Sequence, residues 1–264
     1  MAISAAARLC EASRLALSEG RRRLAFALAL ARGVRLLWLP RGRYKEVWNS
    51  LSGTEELAKI SVLGHADEAQ FSKTAEATRD MLIEHVGIHP SDRVLEIGAG
   101  VGRVGAVVAP LCREWTGADV ADNMLRHIRN RLAHLDNVHT LALNGYDLGP
   151  VASASVDLAY CTVVFMHLDE WDRYGYIHEG FRVLRLGGRM LIDNFNLTSD
   201  EGWAVFQRQR ADYLPGRRPP HIARSSTPQE LATYFQRAGF EAVQQRCEGL
   251  WAVTWGRKPA EGMP

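Results

Sequence analysis

Val94-Leu95-Glu96-Ile97-Gly98-Ala99-Gly100-Val101-Gly102-Arg103 decides the fold of this chain. A short apolar run feeds three glycines at alternate positions, and a helical pattern follows from Val104 to Ala109. A strand that passes through a glycine turn into a helix N-terminus is a nucleotide-binding geometry. Glycine permits positive φ and lets a ligand approach the backbone with no Cβ in the way. The spacing is Glu-x-Gly-x-Gly-x-Gly, not the Gly-x-Gly-x-x-Gly of dinucleotide binders. No arginine or lysine stands inside the turn to meet a phosphate, and Glu96 precedes the first glycine by two residues. That suits a ligand without phosphates and with a cationic end.

The glycines alone would also fit a plain strand-to-helix turn, so the landmarks downstream carry weight. Asp119 closes the apolar run Trp115-Thr116-Gly117-Ala118. A carboxylate at the tip of a second strand is placed to accept both hydroxyls of a ribose. Read alone, it could equally cap the helix that Val120-Ala121-Asp122-Asn123-Met124-Leu125 opens. A third strand starts at Asn137-Val138 and ends at Leu143-Asn144-Gly145. Ser155 to Cys161 reads as the fourth, followed by Val164-Phe165-Met166-His167-Leu168. Phe181 to Arg189 reads as a helix end and a turn into a fifth strand, Met190 to Asp193.

These blocks, in this order, resemble the class I S-adenosylmethionine-dependent methyltransferases, in particular the small-molecule type with VLEIGAGxGR, DxxxxML and VFMHL blocks. The likeness runs from Val86 to Trp255, about two thirds of the chain. It implies a Rossmann-like three-layer α/β sandwich with a seven-stranded, mostly parallel sheet and one antiparallel strand near the C-terminus, here with an N-terminal helical extension. It also implies S-adenosyl-L-methionine as cofactor. Gly98, Ala99, Gly100 and Gly102 would then approach the amino acid end and ribose, and Glu96 would fix the turn and touch the ammonium indirectly. Asp119 would take the ribose diol, with Val120 and Met124 packed on the adenine. Asn144 stands where the family commonly has Asp, and its amide oxygen could still accept from the adenine amino group. Gly145 would offer its N–H to the ring, and Cys161 and Val163 would line the methionine arm.

Methyl transfer is an in-line displacement whose rate comes mostly from holding the acceptor atom in place. A hydroxyl acceptor gains from a base. His167, just after the fourth strand, is the candidate, because imidazole titrates near neutrality. The plain alternative is that it packs and hydrogen-bonds the backbone. Asp193 and Asn194, closing the fifth strand, are second candidates for acceptor positioning. Asp169, Glu170 and Trp171 read as the cap of the next helix. No metal is expected, since Asp193 is the sole acid at its strand end.

Length and composition agree with one α/β domain and additions: 264 residues, 47% hydrophobic and 23% charged. The net charge of +2 is unevenly spread. Residues 1–43 hold nine arginines against Glu11 and Glu19, leaving the remainder mildly acidic. An acidic body argues against a nucleic-acid surface. Cys10, Cys112, Cys161 and Cys247 are isolated and form no metal spacing with the nine histidines. Scattered thiols suggest a reducing, cytoplasmic setting.

Residues 1–60 read as a helical extension or lid and 61–264 as the methyltransferase domain. Arg32, Gly33 and Arg35 interrupt the apolar run after Arg21-Arg22-Arg23, so neither a membrane span nor a clean signal sequence is expected. Three readings of the segment stay open: packing over the cleft or on a second copy, a basic interfacial helix at a membrane, or disorder. Packing is favoured, because Leu36, Leu37, Trp38, Leu39, Tyr44, Val47 and Trp48 offer more apolar surface than a solvated tail needs. Tyr44 to Trp48, ahead of Ile60 and Phe71, resembles the segment that lids small-molecule methyltransferases.

Ala66 to Val86 reads as a helix before the first strand. In residues 199–213, Trp203, Phe206 and Gln207 recur at helical spacing, which predicts a face packed on the core. Thr227 before Pro228-Gln229-Glu230-Leu231 predicts a capped helix with Pro at N1, ending at Ala238-Gly239. Phe240 to Arg246 and Leu250 to Gly256 read as the last two strands. The function these readings favour is O-methylation of a hydroxyl on a small molecule such as a sugar, glycolipid or secondary metabolite. N- or C-methylation, or cofactor binding without turnover, are the alternatives.

Overall fold

The computed structural model describes residues 42–261. The expectations for residues 1–41 fall outside the described residues. Three helices lead in: α1 (Tyr44–Leu51), α2 (Glu55–Leu63) and α3 (Glu68–His85). Then come β1 (Arg93–Ile97), the short α4 (Gly105–Val108) with a 3-10 turn at Ala109–Leu111, β2 (Glu114–Asp119), α5 (Asp122–Arg131), β3 (Val138–Ala142) and β4 (Val156–Cys161). A 3-10 turn at Phe165–His167 precedes α6 (Glu170–Val183), β5 (Leu184–Phe195), α7 (Asp200–Asp212), α8 (Pro228–Ala238), β6 (Glu241–Glu248) and β7 (Trp251–Arg257).

The seven strands form one sheet in the order β3-β2-β1-β4-β5-β7-β6. β1 to β5 pair in parallel, and β7 runs antiparallel to both β5 and β6. This is the expected fold class. The central strands are buried on both sides, as a parallel sheet between helix layers must be. Along β4 and β5 the side chains alternate in assignment. Leu158, Tyr160 and Leu191 join Trp115 and Val253 under α3 to α5, with Met81, Leu82, Val108 and Ile128. Ala159, Cys161, Met190 and Ile192 face the other way, under Ile177 of α6 and Leu231 and Phe235 of α8.

Local chemistry sets the helix ends. Asp67 accepts from the N–H groups of Ala69 and Gln70 at the start of α3. Thr227 accepts from the Glu230 N–H at the start of α8, where Pro228 stands in the first turn, and Gly239 ends that helix left-handed. Asp169 occupies the cap position of α6 but makes no side-chain cap bond; its carboxylate pairs with Arg224 instead.

Two expectations need correction. β5 begins at Leu184, not Met190, because Val156 already pairs with Leu184. The turn read at Gly187-Gly188 exists as a bulge inside that strand, with Gly187 at φ 73°. The aromatic face of residues 199–213 is not core. Gly202 is the sole buried residue of α7, while Trp203 is 49% and Phe206 39% exposed. Among the described residues, no helix is long and apolar enough to cross a membrane.

Arg173 of α6 is a buried charge that the periodicity of its helix does not announce. Its Nε donates to the Phe165 carbonyl at 2.9 Å, and Nη1 donates to Ser226 Oγ at 2.7 Å and Glu230 at 3.2 Å. It thereby ties the 3-10 turn after β4 to the start of α8. Arg173→Leu removes the link between the turn and α8 and leaves Glu230 without its cation, so unfolding free energy should fall by about 3 kcal/mol. Urea titration of both proteins checks this; a loss under about 1 kcal/mol would deny Arg173 that role.

Candidate active site

The three motif glycines all adopt positive φ: 73° at Gly98, 56° at Gly100 and 77° at Gly102. At Gly98 space is as restrictive as φ. A Cβ there would lie 2.4 Å from Val164 Cγ2 on the turn after β4. Gly98 and Ala99 both donate to the Ala118 carbonyl, at 2.8 and 3.0 Å, which ties the turn to β2. Asp119 completes the tie. One carboxylate oxygen accepts from Gly100 N at 2.9 Å and the other from Ala121 N at 2.9 Å. Its side chain is buried, and burial raises its pKa to about 6. Val120 and Met124 lie on either side of this loop, Val120 half-buried and Met124 buried beside Phe71 and Val101.

Glu96 is buried behind the turn. Tyr160 donates its hydroxyl to Glu96 at 2.5 Å, and Trp115 Nε1 donates to Tyr160 at 3.1 Å. Burial lifts Glu96 to a pKa of about 8 despite that hydrogen bond. Asp193, buried at the end of β5, is lifted by burial to about 7. Its Oδ1 accepts from the Val163 N–H at 2.7 Å. Val163 has φ 63°, a strained value for a β-branched residue. Asp193 therefore holds the turn after β4, and Asn194 is occupied elsewhere, donating to Ser226 Oγ. Arg103 lies between the two acids. It is buried, its charge is offset at longer range by Glu96 and Asp193, and its Nη1 has no hydrogen-bond partner. A buried guanidinium nitrogen left without an acceptor among the described residues can take one from an anionic group. Sequence reading quoted Arg103 but gave it no role.

Cys161 is fully buried at the end of β4, and burial raises its thiol pKa. It can contribute bulk and backbone there, not a thiolate. Gly145 is buried, and a Cβ on it would sit 3.3 Å from Tyr44. Asn144 is placed differently from the expectation. It is exposed, its Oδ1 accepts from the N–H groups of Tyr146 and Asp147, and its Nδ2 donates to Asp147. The amide oxygen meant for an adenine amino group is thus engaged in a turn.

His167 sits half-buried in the 3-10 turn after β4. Its Nδ1 lies 2.8 Å from the His221 carbonyl oxygen. A carbonyl only accepts, so Nδ1 carries the hydrogen and the neutral ring holds its lone pair at Nε2. The Trp48 ring meets the imidazole edge-on at 4.8 Å. Trp48 belongs to α1, which is strapped across this end of the sheet. Tyr44 donates to Asp172 at 2.6 Å and accepts from the Asp169 N–H at 3.2 Å. Asn49 accepts from Asn123 N, and Asn123 Nδ2 donates to the Asn49 carbonyl at 3.0 Å. Lys45 pairs with Asp122, and His127 donates to the Ser52 carbonyl at 3.0 Å. The strap joins the starts of α5 and α6 to the loop that holds Gly145.

The comparisons with known proteins agree with this geometry. A family model described as a methyltransferase domain matches residues 95–192. A probable S-adenosylmethionine-dependent methyltransferase of Mycolicibacterium smegmatis is 32% identical over 151 residues, 56% of this chain and 51% of that protein. Phosphoethanolamine N-methyltransferase 1 of Caenorhabditis elegans is 28% identical over 148 residues, 56% of this chain and 30% of that protein. The chain thus matches about half or less of the length of these curated relatives. The crystal structure of a SAM-dependent methyltransferase from Methanosarcina mazei superposes with a TM-score of 0.55 at 18% identity, covering 68% of this chain and 98% of that one. Sequence blocks, strand order and glycine turn therefore agree: residues 95–192 match a methyltransferase domain, and the chain has the fold of, and is similar to, S-adenosylmethionine-dependent methyltransferases.

Proposed function

We propose that this chain transfers the methyl group of S-adenosylmethionine to a small-molecule acceptor, with a hydroxyl of a sugar, glycolipid or secondary metabolite as the favoured acceptor class. The observation that carries the hydroxyl reading is the His167 ring, anchored at Nδ1 by the His221 carbonyl and packed edge-on against Trp48. The relative named as an N-methyltransferase supports an amine acceptor as the second reading. The residues present fit the cofactor. Asp119 is placed for the ribose diol, the glycine turn for close backbone approach, and Arg103 Nη1 for the carboxylate of the methionine end. Glu96 and Asp193 favour the cationic end. When bound, the cofactor supplies an electrophilic methyl group on a sulfonium. The chain's part is to hold the acceptor in line, to exclude water beneath α1 and Trp48, and to take the hydroxyl proton at His167 Nε2. Asp193 keeps the turn that carries Val163 and Val164 against Gly98. Turnover with a panel of hydroxyl and amine acceptors, read as S-adenosylhomocysteine formed, tests the reading. A cofactor that binds but is never turned over would favour the non-catalytic alternative.

Arg103 gives a cofactor-specific expectation. Arg103→Met should weaken S-adenosylhomocysteine by about tenfold or more, the scale of a charged hydrogen bond. Methylthioadenosine, which lacks the carboxylate, should bind the variant as it binds the parent. Calorimetry showing equal losses for both ligands would place Arg103 elsewhere.

Protonation gives a second. Burial holds Asp119, Asp193 and Glu96 at about 6, 7 and 8. A bound cation favours the ionised acids, so it lowers these values and releases protons. Affinity for S-adenosylmethionine should therefore rise from pH 6 to pH 8. S-adenosylhomocysteine, without the sulfonium charge, should show a shallower rise. Calorimetry at pH 7 in buffers of different ionisation enthalpy reads the protons directly; no release would contradict the assignment.

His167 gives the third. With a hydroxyl acceptor, His167→Ala should lower kcat by roughly 100-fold while cofactor affinity barely moves. With cofactor and acceptor saturating, the loss should appear in kcat and not in the KM for the cofactor. A near-full kcat in the variant would leave proximity alone to drive transfer.

A further inference from the structure

We propose that α7 and the loop after it form a docking surface for an anionic lipid bilayer. Gly202 is the one buried residue of α7. Trp203 and Phe206 stack on each other in solvent, with centroids 5.2 Å apart and planes at 19°, and Leu214 beyond them is 60% exposed. Clustered exposed aromatics mark a contact surface, whereas single ones do not. Arg208, Arg210, Arg217 and Arg218 are exposed on the same segment. None of the four makes an ion pair among the described residues. From Trp203 to Arg218 they face a single acid, Asp212.

The pattern selects its partner. Trp and Phe bury well at the headgroup boundary, and arginine forks match phosphate oxygens. A second copy of this surface is a poor occupant. A two-fold contact sets a patch against itself, so these arginines would oppose one another. The position in the fold adds a reason for docking. Val205, on the other side of α7, packs against the cluster of Met166, Phe195 and Leu250, on which Val163 and Trp251 also pack. Val163 is the residue held by Asp193, and Met166 adjoins His167. A docked α7 would set the mouth of the cleft at headgroup level. Resting on the methyl-transfer reading, the acceptor is then an amphiphile drawn from the bilayer, with its reacting group near the surface.

The test uses the full chain and vesicles of phosphatidylcholine, alone or with phosphatidylglycerol, read by co-sedimentation. The parent should bind the phosphatidylglycerol vesicles, and roughly tenfold less well to phosphatidylcholine alone or at high salt. Trp203→Ser with Phe206→Ser should lower partitioning at least about tenfold, and so should Arg208→Gln, Arg210→Gln, Arg217→Gln and Arg218→Gln together. S-adenosylhomocysteine affinity should be unchanged in both, which keeps a misfolded variant or a failed methyltransferase reading distinct from a failed docking surface. A parent that ignores anionic vesicles overturns the proposal. So does binding that survives both sets of changes, which would assign it to other residues. Loss in the arginine variant alone, with heparin competing, would mark a polyanion site and also overturn it. Conversion of a dimer to a monomer by the aromatic variant would do the same.

Discussion

The cofactor end of this molecule depends on one carboxylate that does two jobs. Asp119 accepts from Gly100 N and from Ala121 N, so the glycine turn after β1 and the loop after β2 are fixed to each other. Each bond satisfies a backbone donor that the turn would otherwise bury, which is costly. The geometry of the turn then follows. Three positive-φ glycines can be held in one shape only if something outside the turn fixes them, and Asp119 with the Ala118 carbonyl does so. The third contact is steric. Val164 fills the space a Cβ on Gly98 would occupy, so the turn after β4 is registered against the turn after β1.

Behind that turn, Glu96, Asp193 and Arg103 are buried within one electrostatic neighbourhood. Three charged groups so deep are expensive unless the site needs them. Their raised acid pKa values mean that the ligand-free protein keeps protons a cation would displace. Their signs also match the two ends of an amino acid: acids for an ammonium, a guanidinium for a carboxylate. The same set explains the spacing of the motif. A phosphate-binding turn would put the positive charge inside the glycines; here it stands after them, at Arg103.

The legible parts of the sequence were those governed by local chemistry and short period. Glycine spacing, the Thr227-Pro228 cap and the Gly239 stop all acted through neighbours within a few residues, and Asp119 was marked by the apolar run before it; the structure has them in place. The misread parts depended on distant contacts. Trp203 and Phe206 have the spacing of a core face, but among the described residues no element covers them, so the helix leaves them exposed. Asn144 has an amide fit for adenine, yet two nearby N–H groups take its oxygen. Arg173 and Arg103 drew no role from the sequence, because burial of an arginine is set by what folds around it. A buried arginine can be suspected from sequence only by its place on an apolar helix face or straight after a glycine turn.

The sheet and its turns carry the glycine loop, and two further pieces, α1 and α7, are added beside the turn after β4. α1 is strapped over the ends of β2, β3 and β4 by Tyr44, Asn49 and Lys45, and it sets Trp48 against His167. α7 rests on the turn after β4 through Val205. Both additions touch that turn, one through His167 and the other through Val163 and Met166. Because Asp193 and Arg173 pin the same turn from beneath, a force on either addition meets a fixed point rather than a flexible loop. A change in what either addition contacts would then reach the turn through Trp48 or Val205 and meet residues already held by Asp193 and Arg173.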